Sequence, residues 1–482
     1  VATALCLLDL FMPAKYSRRS LGWFAIAGVL VATLSLLSLL SLETTSILYD
    51  TFRLDSFAKA FKLILMIGSL LVLLLAESYR PKKGLEETRG EFYYLFLTAL
   101  LGAMVMTSSG DLITMFIGLE LLSISSYILA GIRKRNLQSN EAAMKYVING
   151  SIATAITLFG MSYLYGLTGS TNLKEMGSIM DQLLNGQFQY LFGIAFFMML
   201  VGFSFKIASA PFHMWAPDVY QGAPTPVTAF LSVVSKTAGF IIILRMIIFL
   251  YVEAPGDAVG AFDFMEINNI YIAFLAGVTM IVGNVVALRQ SNMKRMLAYS
   301  SIAHAGYLLV SIATLGYFTS SIIWLYLVAY MLMNLGAFAV IQYMQEKTGS
   351  TEITSYAGLY KQEPLLAVTM GIFLLSMAGI PGTAGFIGKM YILIGTFAIN
   401  PSNYVLASLL IGTTIVSYVY YFGVLKQMFF QPANMQAENN KIPKAPGLLI
   451  VLFICVVGTL ILGVLPGLAL DFLGDFNQFD DF

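Results

Sequence analysis

The chain holds 482 residues, of which 58% are apolar and 11% charged, with a formal net charge of +1. A soluble globular protein carries about 25% charged residues, so the composition excludes a soluble domain and describes a polytopic membrane protein. The near-zero net charge gives nucleic acid no footing, and none is expected as a partner.

Lipid tolerates only helices and closed barrels. The apolar runs lack the alternation of barrel strands, so the spans are α-helical. Cys6 and Cys455 stand far apart, and the chain has two histidines. That pattern argues against a zinc or iron–sulfur site built by this chain. No glycine-rich nucleotide loop is present either.

In chain order, the stretch ending at Phe11 is shorter than the ~20 residues of a full span. It reads as the tail of a first transmembrane helix, not as a cleavable signal. Apolar runs follow at 21–42, 56–76, 92–109, 111–131, 146–166, 190–219, 225–252, 270–288, 296–315, 319–344, 365–397, 403–428 and 446–472. The fold class is therefore all-α polytopic, with about fourteen transmembrane helices. Two runs, 190–219 and 365–397, are too long for one straight span. Each carries breakers, Ala210-Pro211 in the first and Gly379-Ile380-Pro381-Gly382 in the second. Breaks are expected within 208–213 and 378–386, because proline removes a backbone donor and clashes with the preceding turn. Broken helices at membrane depth line polar cavities and mark ion sites.

Most of the 27 lysines and arginines fall in every second loop, with acids in the others. The positive-inside rule then puts the basic loops in the cytoplasm and both termini on the opposite side. Residues 1–91 hold the first three helices, 92–252 one five-span repeat, 253–428 a second, and 429–482 the last helix and tail. An odd number of spans inverts the second copy relative to the first, a known transporter plan.

Five ionisable groups fall near span midpoints: Glu120, Lys206, Lys236, His304 and Lys389. A lysine at bilayer centre costs roughly 2.5–3.5 kcal/mol on insertion scales, so packing alone does not account for the set. Arg245 and Lys62 lie nearer span ends and read as snorkelling side chains. Helical spacing gives the five polar company. Ser123 and Tyr127 share the face of Glu120, and Ser232 and Thr228 that of Lys236. Ser300, Tyr307 and Ser311 share the face of His304. Tyr326, Tyr330 and Asn334 form one stripe on the span 319–344. In lipid such stripes face the protein interior or ordered water, so the set reads as a lateral hydrated path. The stretch from Glu120 to Lys206 also matches that from His304 to Lys389 within one residue. The Glu120 and Lys206 side chains are expected to approach across neighbouring helices, directly or through water.

The segments PFHMWAPDVYQGAPTPVTAFLSVVSK, SNMKRMLAYSSIAHAGYLL and GIPGTAGFIGK resemble the antiporter-like membrane subunits of respiratory complex I, and among them the N-type (subunit 2 in mitochondria). The likeness covers nearly the whole chain. It implies a proton relay in which Glu120 and Lys206 form a charge pair, Lys236 and His304 pass the proton laterally, and Lys389 exchanges it with one side. Lys236 matches the lysine of the N-type, where L- and M-type relatives usually carry histidine. The likeness further implies K-type and M-type neighbours in the membrane arm and a bacterial plasma membrane. It implies no cofactor in this chain, with NAD(H) and quinone used by the whole assembly. The alternative is a subunit of a multi-subunit sodium/proton antiporter. Sodium sites favour oxygen ligands, and Glu120 is the one mid-span acid, which favours protons.

Overall fold

The computed structural model describes residues 1–13, 17–80, 88–184, 189–248, 250, 259–314, 319–398, 403–432 and 444–474. After α1 (Ala2–Phe11) and α2 (Ser20–Ser38) comes a small antiparallel hairpin, β1 (Thr45–Ile47) and β2 (Phe52–Leu54). Then follow α3 (Ser56–Ser78), α4 (Arg89–Thr107), α5 (Leu112–Ala130), α6 (Leu137–Thr168), α7 (Leu173–Leu184), α8 (Gln189–Ile207) and α9 (Trp215–Gly222). α10 (Thr225–Phe230), a π-helical turn (Leu231–Ser235) and α11 (Lys236–Ile247) run on as one span. The second half comprises α12 (Val259–Ala287), α13 (Met293–Ala313), α14 (Thr319–Thr348), α15 (Leu359–Gln362), α16 (Pro364–Ala378), α17 (Ala384–Ala398), α18 (Tyr404–Phe430), α19 (Pro446–Val464) and α20 (Gly467–Gly474).

Twelve of the described helical segments are long and apolar enough to cross a membrane. α1 and the pair α16–α17 bring the count to the expected fourteen. Both breaks fall where the prolines and glycines place them, between Ile207 and Trp215 and between Ala378 and Ala384. The hairpin and α7 are additions that apolar runs could not announce.

The two repeats share a local closure. Thr168-Gly169-Ser170-Thr171 ends α6, and Thr348-Gly349-Ser350-Thr351 ends α14. Gly169 and Gly349 take φ of 71° and 76°, a left-handed stop that suits glycine. Each threonine hydroxyl donates back to its helix at 2.8 Å, Thr168 to Leu164 and Thr348 to Met344. Thr171 then accepts from Leu112 N at 2.9 Å, and Thr351 from Met293 N at 2.8 Å. Asp111 and Asn292 cap the starts of α5 and α13 through their side chains. Counting spans, the two closures lie on opposite faces of the membrane, as inversion requires.

This register refines the matched spacing of Glu120–Lys206 and His304–Lys389. Counted from the two capping residues, Glu120 corresponds to Ser301, and His304 to Ser123. The matched spacing joins positions one turn apart, not equivalent ones. Close backbone approach fixes both helices: a Cβ at Gly102 would meet Leu122 N at 2.5 Å, and one at Gly283 would meet Ala303 N at 2.5 Å. Small residues let helices approach this closely in lipid.

The snorkelling reading fails for Arg245. The residue is 1% exposed, and its guanidinium meets Asp55 at 2.8 Å and the Ser109 carbonyl at 2.9 Å. Asp55, at the start of α3, supplies the countercharge that made outward reach unnecessary. Lys62 is likewise buried, its ammonium 4.8 Å from the centre of the Phe52 ring in β2.

Candidate functional site

Lys206 occupies the last turn of α8, just before the first break. The negative end of a helix favours a cation. The break is held from below by Trp215, whose indole N–H donates to the Phe205 carbonyl at 3.0 Å and whose ring stacks on Tyr146. Lys206 is buried, and its Nζ donates to Ser123 Oγ on α5 at 3.0 Å. Glu120, one turn earlier on α5, is half-buried and accepts from Thr154 of α6 at 2.9 Å. Among the described residues, the expected pair is thus not a direct ion pair; Ser123 stands between the two in sequence and on the same face.

Lys236 follows the π-helical turn directly. Such turns reorient a helix face and recur at functional sites. The Lys236 ammonium donates to the carbonyl of Ser301 at 2.7 Å and to its hydroxyl at 2.9 Å. The Tyr220 phenol meets the same hydroxyl at 3.4 Å. One turn further along α13, His304 is enclosed by phenols. Its Nδ1 lies 2.6 Å from Tyr326 OH and its Nε2 3.3 Å from Tyr421 OH. Tyr421 also meets Ser300 Oγ at 2.5 Å.

Lys389 lies on α17, beyond the second break, and reaches back across it. Its Nζ donates to the carbonyls of Met377 and Ala378 at 2.9 and 3.2 Å. Both broken helices therefore present an ammonium at the carbonyl end of their first half. The Lys389 ammonium also lies 4.8 Å from the Tyr307 ring centre, and that ring packs edge-on to His304. Each of the three buried lysines thus ends on a hydroxyl or a backbone carbonyl, and His304 on two phenols.

Several groups here escaped sequence reasoning: Ser301, Thr154, Tyr421, and Asn284, which bonds both Tyr307 and Tyr420. The SYVYY segment within the run 403–428 was the available signal for Tyr420 and Tyr421. A second cluster surrounds α9. Asp218 joins Lys145 of α6 at 2.6 Å to Arg295 of α13 at 2.5 Å. Lys294, fully buried, donates to the Ala223 carbonyl at 2.6 Å, and Arg133 to that of Gly222 at 2.7 Å. Lys294 and Arg133 thus both lie at the carbonyl end of α9, where the helix dipole favours cations.

Comparison with known proteins places the chain in a family. The family described as "NADH:quinone oxidoreductase/Mrp antiporter, TM" matches residues 109–415. The chain is 59% identical, over 98% of its length and 95% of the relative's, to NADH-quinone oxidoreductase subunit N of Geobacillus sp. (strain WCH70). It is 59% identical to the subunit of that name from Anoxybacillus flavithermus (strain DSM 21510 / WK1), over 100% of this chain and 95% of that one. A chain in the structure of respiratory complex I from Thermus thermophilus with bound aureothin superposes with a TM-score of 0.78 at 32% identity, covering 98% of this chain and 96% of that one. By matched length and identity alike, the chain belongs to the NADH:quinone oxidoreductase/Mrp antiporter transmembrane family.

Proposed function

We propose that this chain is the N-type proton-translocating subunit of a bacterial NADH–quinone oxidoreductase, with Glu120, Lys206, Lys236, His304 and Lys389 as its relay. One observation carries the reading: three buried lysines and a histidine follow one another across both repeats, each ending on a hydroxyl or a helix-end carbonyl. Near-full-length identity of 59% to chains named subunit N favours the oxidoreductase over a free-standing antiporter.

Movement of Lys206 between Ser123 and Glu120 changes its proton affinity, since a nearby carboxylate favours the charged form. Lys236 and His304 carry the proton laterally, and Lys389 exchanges it with one side. Moving one charge against 100 mV requires ~2.3 kcal/mol. The reaction of NADH with quinone, carried out by other subunits, supplies it. Glu120 opens on a face that also exposes Ile113, Ile117, Ile124 and Ile128. A carboxylate does not face lipid, so a neighbouring membrane-arm subunit covers this face, and the path continues there. The assembly sits in the bacterial plasma membrane, with the basic loops in the cytoplasm and both termini outside.

The test is NADH–quinone turnover and proton uptake in membranes, normalised to assembled complex. Lys236→Met and Lys389→Met keep apolar fit and remove the titrating group. Both activities should collapse while assembly persists. Full activity in both would leave the chain a spacer.

A further inference from the structure

We propose that the segment of the path between Lys236 and Lys389 runs through the phenols of Tyr330, Tyr421 and Tyr326, with His304 passing each proton by exchange of its tautomer. The inference rests on the relay reading and names the groups that lie between Lys236 and Lys389. Lys236 ends on Ser301, whereas His304 is bonded to neither lysine among the described residues. Phenols fill the space between. Both imidazole nitrogens face a tyrosine hydroxyl, and the two tyrosines come from different helices, α14 and α18. Tyr330 packs its ring 5.4 Å from the His304 ring, and its buried hydroxyl makes no hydrogen bond among the described residues. A buried polar group of this kind marks a water position, here beside His304.

A neutral imidazole has one N–H donor and one acceptor. With the proton on Nδ1, His304 donates to Tyr326, and Tyr421 donates to Nε2. A proton arriving at the Tyr421 oxygen, by way of Tyr330 and water or of Ser300, displaces that phenol's own proton onto Nε2. Nδ1 gives its proton to Tyr326, which releases its own toward Lys389. One proton enters and one leaves. No phenolate persists, and the ring ends in the opposite tautomer. The start is restored when water beside the ring takes the Nε2 proton as it gives one to Nδ1, and the two phenol O–H bonds turn back. No carboxylate bonds His304 among the described residues, so passage by neutral tautomers spares an imidazolium between two lysines, which burial would penalise.

The experiment compares Tyr421→Phe, Tyr326→Phe and Tyr330→Phe in assembled complex, each change removing one oxygen. The readouts are proton uptake per NADH oxidised, turnover in H2O and D2O, and the amount of complex. At Tyr421 and Tyr326, turnover is expected to fall about tenfold or more, within the reach of a positioned acid–base group, with a changed solvent isotope effect. Tyr330→Phe should fall less, since water can bridge its place. A structural role would change complex stability and leave the isotope effect alone. Wild-type turnover and isotope effect in Tyr421→Phe and Tyr326→Phe, alongside inactive Lys236→Met, would overturn the phenol route and leave the relay standing. Full activity in Lys236→Met and Lys389→Met would instead remove the relay itself.

Discussion

Lys206 Nζ lies 3.0 Å from Ser123 Oγ, and Ser123 holds in the first repeat the position that His304 holds in the second. A hydroxyl on one side and an imidazole on the other therefore sit at matching points of an inverted pair. The hydroxyl gives the Lys206 ammonium a neutral acceptor one turn away from Glu120. Ser123→Ala removes that acceptor, at a cost of ~1–3 kcal/mol for a buried polar partner. We expect assembly to survive and turnover to fall by about tenfold, the rate equivalent of ~1.4 kcal/mol. Glu120→Gln should fall further. Equal, wild-type turnover in both variants would show that neither group handles the proton.

Arginine separates a proton carrier from a structural cation at Lys236 and Lys389. It keeps the charge but releases no proton at any usable pH. Lys236→Arg and Lys389→Arg should therefore be as inactive as the methionine variants, with complex present in normal amounts. Retained proton uptake in the arginine variants would assign both lysines to architecture.

Arg245 and Asp55 should behave as a buried structural pair. Removing one partner leaves the other charge stranded, at about 3–5 kcal/mol. Asp55 also accepts from Ala58 N at 2.7 Å as the cap of α3, a bond of ~1 kcal/mol. Asp55→Ala should thus lower the melting temperature of the purified complex more than Arg245→Met. The reverse order would contradict the double role.

The same carboxylate gives a pH signature. Burial alone would raise the Asp55 pKa, but the Arg245 charge and hydrogen bonds outweigh it and hold the group below its ordinary value. Because the folded pKa is depressed, its stabilisation is present above the unfolded value, near pH 3.9, and is lost as pH falls through the folded value. Thermal unfolding followed from about pH 5 downward should show wild type losing stability more steeply than Asp55→Asn.

What could be read from the chain was set by distance along it. Span count, both helix breaks and the five mid-span ionisable groups are local features. Hydropathy and proline are visible within twenty residues. The partners were not visible, because they join remote helices. Lys206 meets Ser123, and Lys236 meets Ser301. Arg245 could be read only as a charge near a span end, since nothing nearby in sequence announces Asp55. The matched spacing of Glu120–Lys206 and His304–Lys389 is limited for a related reason. Equal spacing cannot distinguish the same position from one a turn away, and the caps at Asp111 and Asn292 can.

The paired Thr-Gly-Ser-Thr closures bear on how the chain enters the membrane. Each links the start of one helix to the end of the next, Leu112 to Thr171 and Met293 to Thr351. The bonds need nothing beyond a single helical hairpin, so each hairpin can lock as soon as its second helix has been inserted. One locks at one surface of the bilayer and the other at the opposite surface. Biogenesis then gains two self-contained insertion units of opposed orientation. The buried lysines on α8 and α17 arrive only after a locked hairpin is in place to receive them.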